Sequence, residues 1–243
     1  MALAAGCAGD AANGQRQAAP ARQEAALKKQ PARPAGPPAA RRLDCARLRC
    51  VAITFDDGPG EHTGQLLDRL KESGARATFF MLGQNVRGNE QLVRRMAYEG
   101  HELANHTWSH PNLTGMSSGA VRSEVRRTQR AIQQASGVEP KVFRPPYGAT
   151  DAQVGRAVGM PQIMWSVDSQ DWLHHNVARN VSAGVKSPKP GGVVLFHDIH
   201  HETVNAAPKI LAGLRERGFT LVTVSELFQT RTLKPGSRYT NLW

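Results

Sequence analysis

From Leu48 onward the chain alternates short strand-like stretches with longer amphipathic ones. The strand-like stretches fall near 51–55, 77–82 ("ATFFML"), 101–105, 141–144, 163–168 ("IMWSVD"), 192–197 ("GVVLFH") and 219–224. Val51, Ile53 and Phe55 are residue types that suit a pleated, buried surface. Between the strands, "TGQLLDRLKESG", "NEQLVRRMAYEG", "SSGAVRSEVRRTQRAIQQASG" and "AAPKILAGLRERG" read as helices. Several open on Ser or Asn and close on Gly, as helix ends favour. Strict alternation of strand and helix predicts a parallel sheet with helices outside it. Seven strands within about 190 residues predict a (β/α) barrel slightly short of the eightfold form.

Ahead of this pattern the composition changes. Residues 8 to 43 hold no aromatic residue and are rich in Ala, Pro, Gly, Gln and Arg. A stretch such as "QPARPAGPPAARR" cannot bury a core, so residues 1–43 are expected to form a disordered, low-complexity linker. The folded domain is expected over 44–230, with 231–243 as a C-terminal extension.

The formal charge of +11 is concentrated at the start of the chain. Residues 1–50 carry nine Lys and Arg against three Asp and Glu, a net of +6, which leaves +5 for the rest. The remainder shows no basic stripe interleaved with aromatics, so nucleic acid is not the expected partner. A polyanionic surface, cell wall or lipid headgroups, would attract such a tail. No apolar run reaches the ~18 residues of a membrane-spanning helix.

The start, "MALAAGCAGD", resembles the end of a bacterial lipoprotein signal, whose Cys is acylated after cleavage. Only six residues precede Cys7, and Ala4 stands where such signals prefer Leu. Either a longer precursor is anchored through Cys7 or the match is accidental. The expected location is secreted or at the cell surface, lipid-anchored in the first case. Cys45 and Cys50, in "DCARLRC", fit a disulfide of an exported protein better than two reduced thiols.

Chemically able residues cluster where the strands end. The first strand runs into Asp56 and Asp57 and breaks at once on Gly58 and Pro59. Adjacent carboxylates repel unless something positive absorbs the charge, so the pair is either a turn former or a metal or acid–base site. "NHTWSH", with His106 and His110, ends the third strand, and "RPPYG", Arg144 to Gly148, the fourth. "DSQDW", Asp168 to Trp172, ends the fifth, and "LFHD", Leu195 to Asp198, the sixth. In a parallel barrel the carboxyl ends of all strands meet on one face, where active sites are kept. His106 and His110 are close enough in sequence to point both imidazoles one way. A carboxylate arriving from the first strand completes two His and one Asp with an open position, the pattern of a catalytic zinc. One Asp of the pair then binds metal and its neighbour acts as a base.

"TFDDGP", "HTWSH", "RPPYG", "DSQDW" and "LFH", in this order and spacing, resemble the five motifs of the polysaccharide deacetylases, the NodB-homology domain of carbohydrate esterase family four. The resemblance covers about residues 48 to 230. It implies a distorted, TIM-like (β/α)7 barrel that hydrolyses acetyl groups from a glycan. It implies Asp56 as general base and Asp57, His106 and His110 as metal ligands. Arg144 matches the arginine that holds the base in place, and Tyr147 the residue whose backbone N–H binds the oxyanion. His197 matches the general acid and Asp171 the carboxylate that orients it. Trp165 and Leu195, beside Tyr147, match the groove around the acetyl methyl group. The implied cofactor is a divalent metal, zinc, with cobalt able to replace it.

The expected function is metal-dependent N-deacetylation of N-acetylglucosamine residues in peptidoglycan or a chitin-like polymer, carried out by a monomer. An acetylxylan esterase removing O-acetyl groups is the alternative. A non-catalytic glycan-binding module ranks below both, because no base, acid or ligand is substituted. The chemistry agrees with these roles: an amine leaves only once protonated, so an acid such as His197 is needed opposite the base. Asp168 is read as structural, Trp172 as packing, and Trp108 as packing or a sugar platform. His174, His175, His200 and His201 read as solvated loop residues, and His62 and His101 carry no assignment.

Overall fold

The computed structural model describes residues 37–243; residues 1–36, with Cys7 and most of the expected linker, lie outside the described residues. The elements run β1 (Cys50–Asp56), α1 (Thr63–Glu72), β2 (Thr78–Met81), α2 (Gly83–Val86), α3 (Glu90–Tyr98) and β3 (Glu102–Asn105). They continue with α4 (Ser118–Ser136), α5 (Ala152–Val158), β4 (Gln162–Ile163), β5 (Val167–Asp168), α6 (Asp171–His174) and α7 (Val177–Lys186). β6 (Gly192–His197), α8 (His201–Glu216), β7 (Thr220–Val222), α9 (Val224–Leu227) and β8 (Arg238–Tyr239) complete the chain.

β1 is the centre of the barrel. β6 pairs with it in parallel from Val51 to Asp56 and so occupies one whole edge. β2 pairs with Thr54–Asp56 and β7 with Cys50–Ala52, so these two strands share the other edge. β3 continues from β2 and β5 from β6, again in parallel. Single bridges from Phe143 to Asn105 and to Gln162 close the ring. The fold is the distorted α/β barrel expected, with its distortion at the edge that β2 and β7 divide.

Two of the expected strands differ in detail. The stretch 141–144 contributes only the Phe143 bridges, and 163–168 is interrupted between β4 and β5. Arg144 explains the interruption. Its Nε and Nη2 donate to the carbonyls of Ile163 and Met164 at 2.9 and 3.0 Å, acceptors that a continuous strand would offer to its neighbour. Pro145 and Pro146 follow directly and have no N–H for a ladder. The sequence pattern also passes over α7, which has no leucine stripe. Gly184 there lets the helix approach closely; a Cβ at that position would lie 2.8 Å from Phe196.

Alternation along β1 sorts its side chains. Val51, Ile53 and Phe55 pack outward with Phe79, Val194 and Phe196 against Leu66 and Leu70 of α1 and Ile210 and Leu214 of α8. Ala52 joins Phe80, Ala104, Ile163 and Val193 in a second cluster inside the barrel. Thr54 and Asp56 share the parity of Ala52, so the strand aims Asp56 into the barrel mouth. The other end is closed by the Cys45–Cys50 disulfide, whose Cα atoms are 5.4 Å apart, together with Phe228, Tyr239 and Leu242. Residues 231–243 thus pack onto the barrel: β8 pairs with β4, and Asn241 bridges to Gly192. Ahead of the barrel, Arg41 makes a 2.7 Å ion pair with the buried Glu226.

Candidate metal centre and catalytic cleft

Asp57 follows β1 with a positive φ of 72°, which swings its side chain away from the strand direction taken by Asp56. The turn is held by Asp57 N–H donating to the Phe80 carbonyl at 3.1 Å and by Asn85 Nδ2 donating to the Asp57 carbonyl at 2.7 Å. Facing it is the loop 106–110, a tight loop rather than a helical turn, in which Thr107 and His110 also take positive φ. Glu124 of α4 pins this loop by accepting from the backbone N–H of Trp108 at 2.8 Å and of Ser109 at 2.9 Å.

The result is a three-donor set. Asp57 Oδ1 lies 3.5 Å from Nε2 of His106 and 3.5 Å from Nε2 of His110. The three ligand atoms lie within 4.8 Å of one another, close enough to hold one ion. His106 Nδ1 bonds the Arg144 carbonyl at 2.7 Å, which makes Nδ1 the donor and leaves the Nε2 lone pair aimed at the centre. Burial holds this imidazole neutral, with its pKa down to about 3. Asp57 Oδ1 is buried and has no hydrogen-bond partner among the described residues. A buried carboxylate oxygen left unpaired between two imidazoles is what a divalent cation would satisfy. The residues fit a metal.

Asp56 stands beside this set, its Oδ2 3.7 Å from His106 Nε2. Its Oδ1 accepts from Arg144 Nη1 at 2.6 Å. Burial pushes the Asp56 carboxyl up from its ordinary value, with Arg144 working against that shift. Arg144 is itself fully buried, and its guanidinium is held by Thr54 Oγ1, Asp56 and two carbonyls, with the Phe80 ring 4.0 Å from Cζ. This buried cation is the counter-charge of Asp56.

Across the mouth, the ladder makes His197 the direct partner of Asp56. His197 Nδ1 lies 2.7 Å from Asp171 Oδ1, and Asp171 Oδ2 accepts from His197 N–H and from Thr203 Oγ1 at 2.8 and 2.6 Å. Burial works to lower the His197 pKa, but the hydrogen bond and charge of Asp171 outweigh it and raise the value to about 9. An imidazolium with Nδ1 committed to Asp171 offers Nε2 to a reacting group.

Between the two halves lies a cavity of about 360 Å³ lined by Asp56, Asp57, His106, His110, Pro145, Tyr147, Trp165, Asp168, Trp172, Leu195 and His197. Every residue singled out for the site lines it except Arg144 and Asp171, which lie directly behind Asp56 and His197. Tyr147 has a φ of 60° and is 70% exposed; its backbone N–H makes no hydrogen bond among the described residues. Asp168 accepts from Gln170 N–H at 2.8 Å, the structural role expected, yet also lines the cavity.

Four supporting residues carry no role in the sequence reading. Thr54, Glu124 and Thr203 hold Arg144, the metal loop and Asp171, each from far along the chain. Asp198 is buried against the turn after β1, where a Cβ on Gly58 would lie 2.2 Å from its Oδ2. Burial pushes its carboxyl up to about 7. Asp198 closes the "LFHD" cluster at the end of the sixth strand, where the sequence reading gives it no role.

The comparisons with known proteins concern the same residues. The polysaccharide deacetylase family model matches residues 44–162. A peptidoglycan-N-acetylglucosamine deacetylase of Listeria monocytogenes is 41% identical over 193 residues, 78% of this chain and 41% of its own length. The chain thus spans about two fifths of that relative. A chitooligosaccharide deacetylase of Rhizobium leguminosarum bv. trifolii is 38% identical over 191 residues, 71% of this chain and 89% of its own length. A solved structure described as T48 deacetylase with substrate superimposes with a TM-score of 0.80 at 44% identity, covering 81% of this chain and 99% of that one.

Proposed function

Because this chain belongs to the polysaccharide deacetylase family, we propose that it removes acetyl groups from the N-acetylglucosamine residues of peptidoglycan or a chitin-like polymer and releases acetate. The observation that carries this reading is the pairing of two proton-handling dyads across one cavity. Asp56 with Arg144 stands on the metal side, and His197 with Asp171 on the other.

Asp57, His106 and His110 would hold a divalent cation, zinc by donor type with cobalt as a substitute. When bound, it supplies Lewis acidity that activates water and polarises the acetyl carbonyl near neutral pH. The side chains do the rest. Asp56, fixed by Arg144, takes the proton released as water attacks. Tyr147 N–H, without another partner among the described residues, donates to the oxyanion. His197 gives its Nε2 proton to the departing sugar nitrogen, and Asp171 stabilises the imidazolium until then. Trp165 and Leu195, with Tyr147, shape the apolar wall for the acetyl methyl.

A secreted or cell-surface location is part of the proposal. The Cys45–Cys50 disulfide supports it, since such bonds persist in oxidising compartments. Attachment to membrane or wall through the first 43 residues, with the domain acting as a monomer, belongs to the same reading. Acetate release measured side by side on peptidoglycan, N-acetylglucosamine oligomers and acetylxylan tests it. Release from either amino-sugar polymer is expected; release from acetylxylan alone would hand the cleft to the esterase alternative.

A further inference from the structure

The loop 106–110 has two faces. His106 and His110 line the catalytic cavity, whereas Trp108 between them lines a separate pocket of about 450 Å³. Four arginines line that pocket: Arg87 beyond α2, Arg94 on α3, and Arg127 and Arg130 on α4. Glu90 is the one carboxylate among its lining residues. No ion pair engages any of the four guanidinium groups among the described residues; Arg94 Nε instead donates to the Ala135 carbonyl at 3.3 Å.

Trp108 organises the cluster. Arg127 Cζ lies 4.1 Å and Arg87 Cζ 5.2 Å from its ring, so two cations are held at one indole. Four like charges gathered around a concave surface against a single carboxylate, Glu90, raise the local potential and favour an anion. Guanidinium groups fixed by stacking have less freedom to lose when they bind a carboxylate.

The pocket is also tied to the metal loop by α4. Glu124 holds the backbone of Trp108 and Ser109, Arg127 lies against the ring of Trp108, and Arg130 and Gln134 continue along the pocket. From Glu124 to Gln134 the helix rises about 15 Å. The two pockets flank one loop, with Trp108 in one and His106 and His110 in the other.

We propose that this arginine pocket binds carboxylate groups carried by the glycan whose sugars enter the cleft. It selects acid-bearing polymer, such as glycan with free stem-peptide carboxylates, over neutral oligomers. The proposal rests on the deacetylase reading of the cleft, and the two fail differently.

The test uses the full chain, an Arg127→Glu, Arg130→Glu double variant and the conservative Arg127→Lys, Arg130→Lys pair. Acetate release and calorimetric binding are measured on neutral N-acetylglucosamine oligomers and on peptidoglycan fragments with free peptide carboxylates. The Glu variant should keep kcat and KM on neutral oligomers and raise KM and Kd for acidic fragments about tenfold, the scale of one charge-assisted contact. The Lys pair should retain part of that affinity. Raising salt from about 50 to about 200 mM should erode the wild-type preference and leave the Glu variant flat. Equal affinity of wild type and Glu variant for acidic fragments overturns the proposal, as does a parallel loss on both substrates. Tighter binding of single-stranded DNA than of acidic fragments through these arginines overturns it too. Should neither substrate release acetate, the deacetylase reading falls, while the binding comparison still decides the pocket.

Discussion

Asp171 Oδ1 lies 2.7 Å from His197 Nδ1, and this contact reverses what burial alone would do to the imidazole. Burial lowers the histidine pKa; Asp171 lifts it to about 9. The sign follows directly. The proton is present below about pH 9 and is lost as pH rises through that value. In Asp171→Asn the burial effect is opposed by the charges of Asp56 and Asp57 but no longer by Asp171, so the alkaline limb of kcat should shift down by more than one pH unit. Turnover at pH 8 should fall by about 10²–10⁴-fold, the usual contribution of a positioned acid. A kcat–pH profile with an unmoved alkaline limb would remove Asp171 from this role.

Asp56 and Asp57 are neighbours with separate tasks. Asp57→Asn should lose most metal affinity, because Asp57 Oδ1 is the oxygen 3.5 Å from both imidazoles. Asp56→Asn should keep its metal and lose about 10²–10⁴-fold in turnover. It should also destabilise the fold by about 3 kcal/mol, since the buried Arg144 loses its counter-charge. Elemental analysis and thermal melts of the two variants decide; metal loss confined to Asp56→Asn would reverse the assignment.

Much of this site is visible in the sequence because its parts are local. His106 and His110 share one loop, Asp56 and Asp57 one strand end, and parallel topology carries both to the same face. What the hydrophobic pattern does not show runs between distant segments. Arg144 spans 88 residues to reach Asp56 and takes carbonyls that would otherwise have continued a strand. Only the family resemblance marks the arginine of "RPPYG" as the partner of the base; periodicity and composition do not. The Thr203 contact to Asp171, 32 residues away, leaves no mark in either motif. The division of one β1 edge between β2 and β7 depends on where each strand stops, which hydrophobic pattern specifies least well.

Removing the metal should abolish activity and leave the barrel folded. The two principal core clusters bury apolar side chains on both faces of the sheet without using a metal ligand. Chelator-treated protein should keep its far-ultraviolet circular dichroism and recover activity with zinc or cobalt. Full turnover after chelation, verified by metal analysis, would contradict the three-donor assignment.

The Cys45–Cys50 bridge closes a short loop, with a sequence separation of 5. The chain-entropy relation gives about 2 kcal/mol for a loop of this size. Cys45→Ser with Cys50→Ser should therefore lower Tm by several degrees without changing kcat, because the bridge sits at the end of the barrel away from the cleft. A loss of activity at temperatures where the variant remains folded would show that the two ends communicate.

The remaining prediction separates N-acetyl from O-acetyl hydrolysis. A sugar nitrogen is a poor leaving group until it is protonated, whereas a sugar oxygen leaves from an ester far more readily. Amide hydrolysis therefore leans on the general acid more heavily than ester hydrolysis does. His197 has a carboxylate partner, an elevated pKa and a place on the cavity wall, which suit it to supply the acid that amide cleavage requires. His197→Ala replaces neither the base nor a metal-facing residue, so water attack on either substrate should survive it. The variant should lose N-deacetylation of N-acetylglucosamine oligomers by about 10²–10⁴-fold and lose any activity on acetylxylan by a smaller factor. Equal losses on the amide and the ester would mean that His197 serves attack or binding rather than departure of the amine.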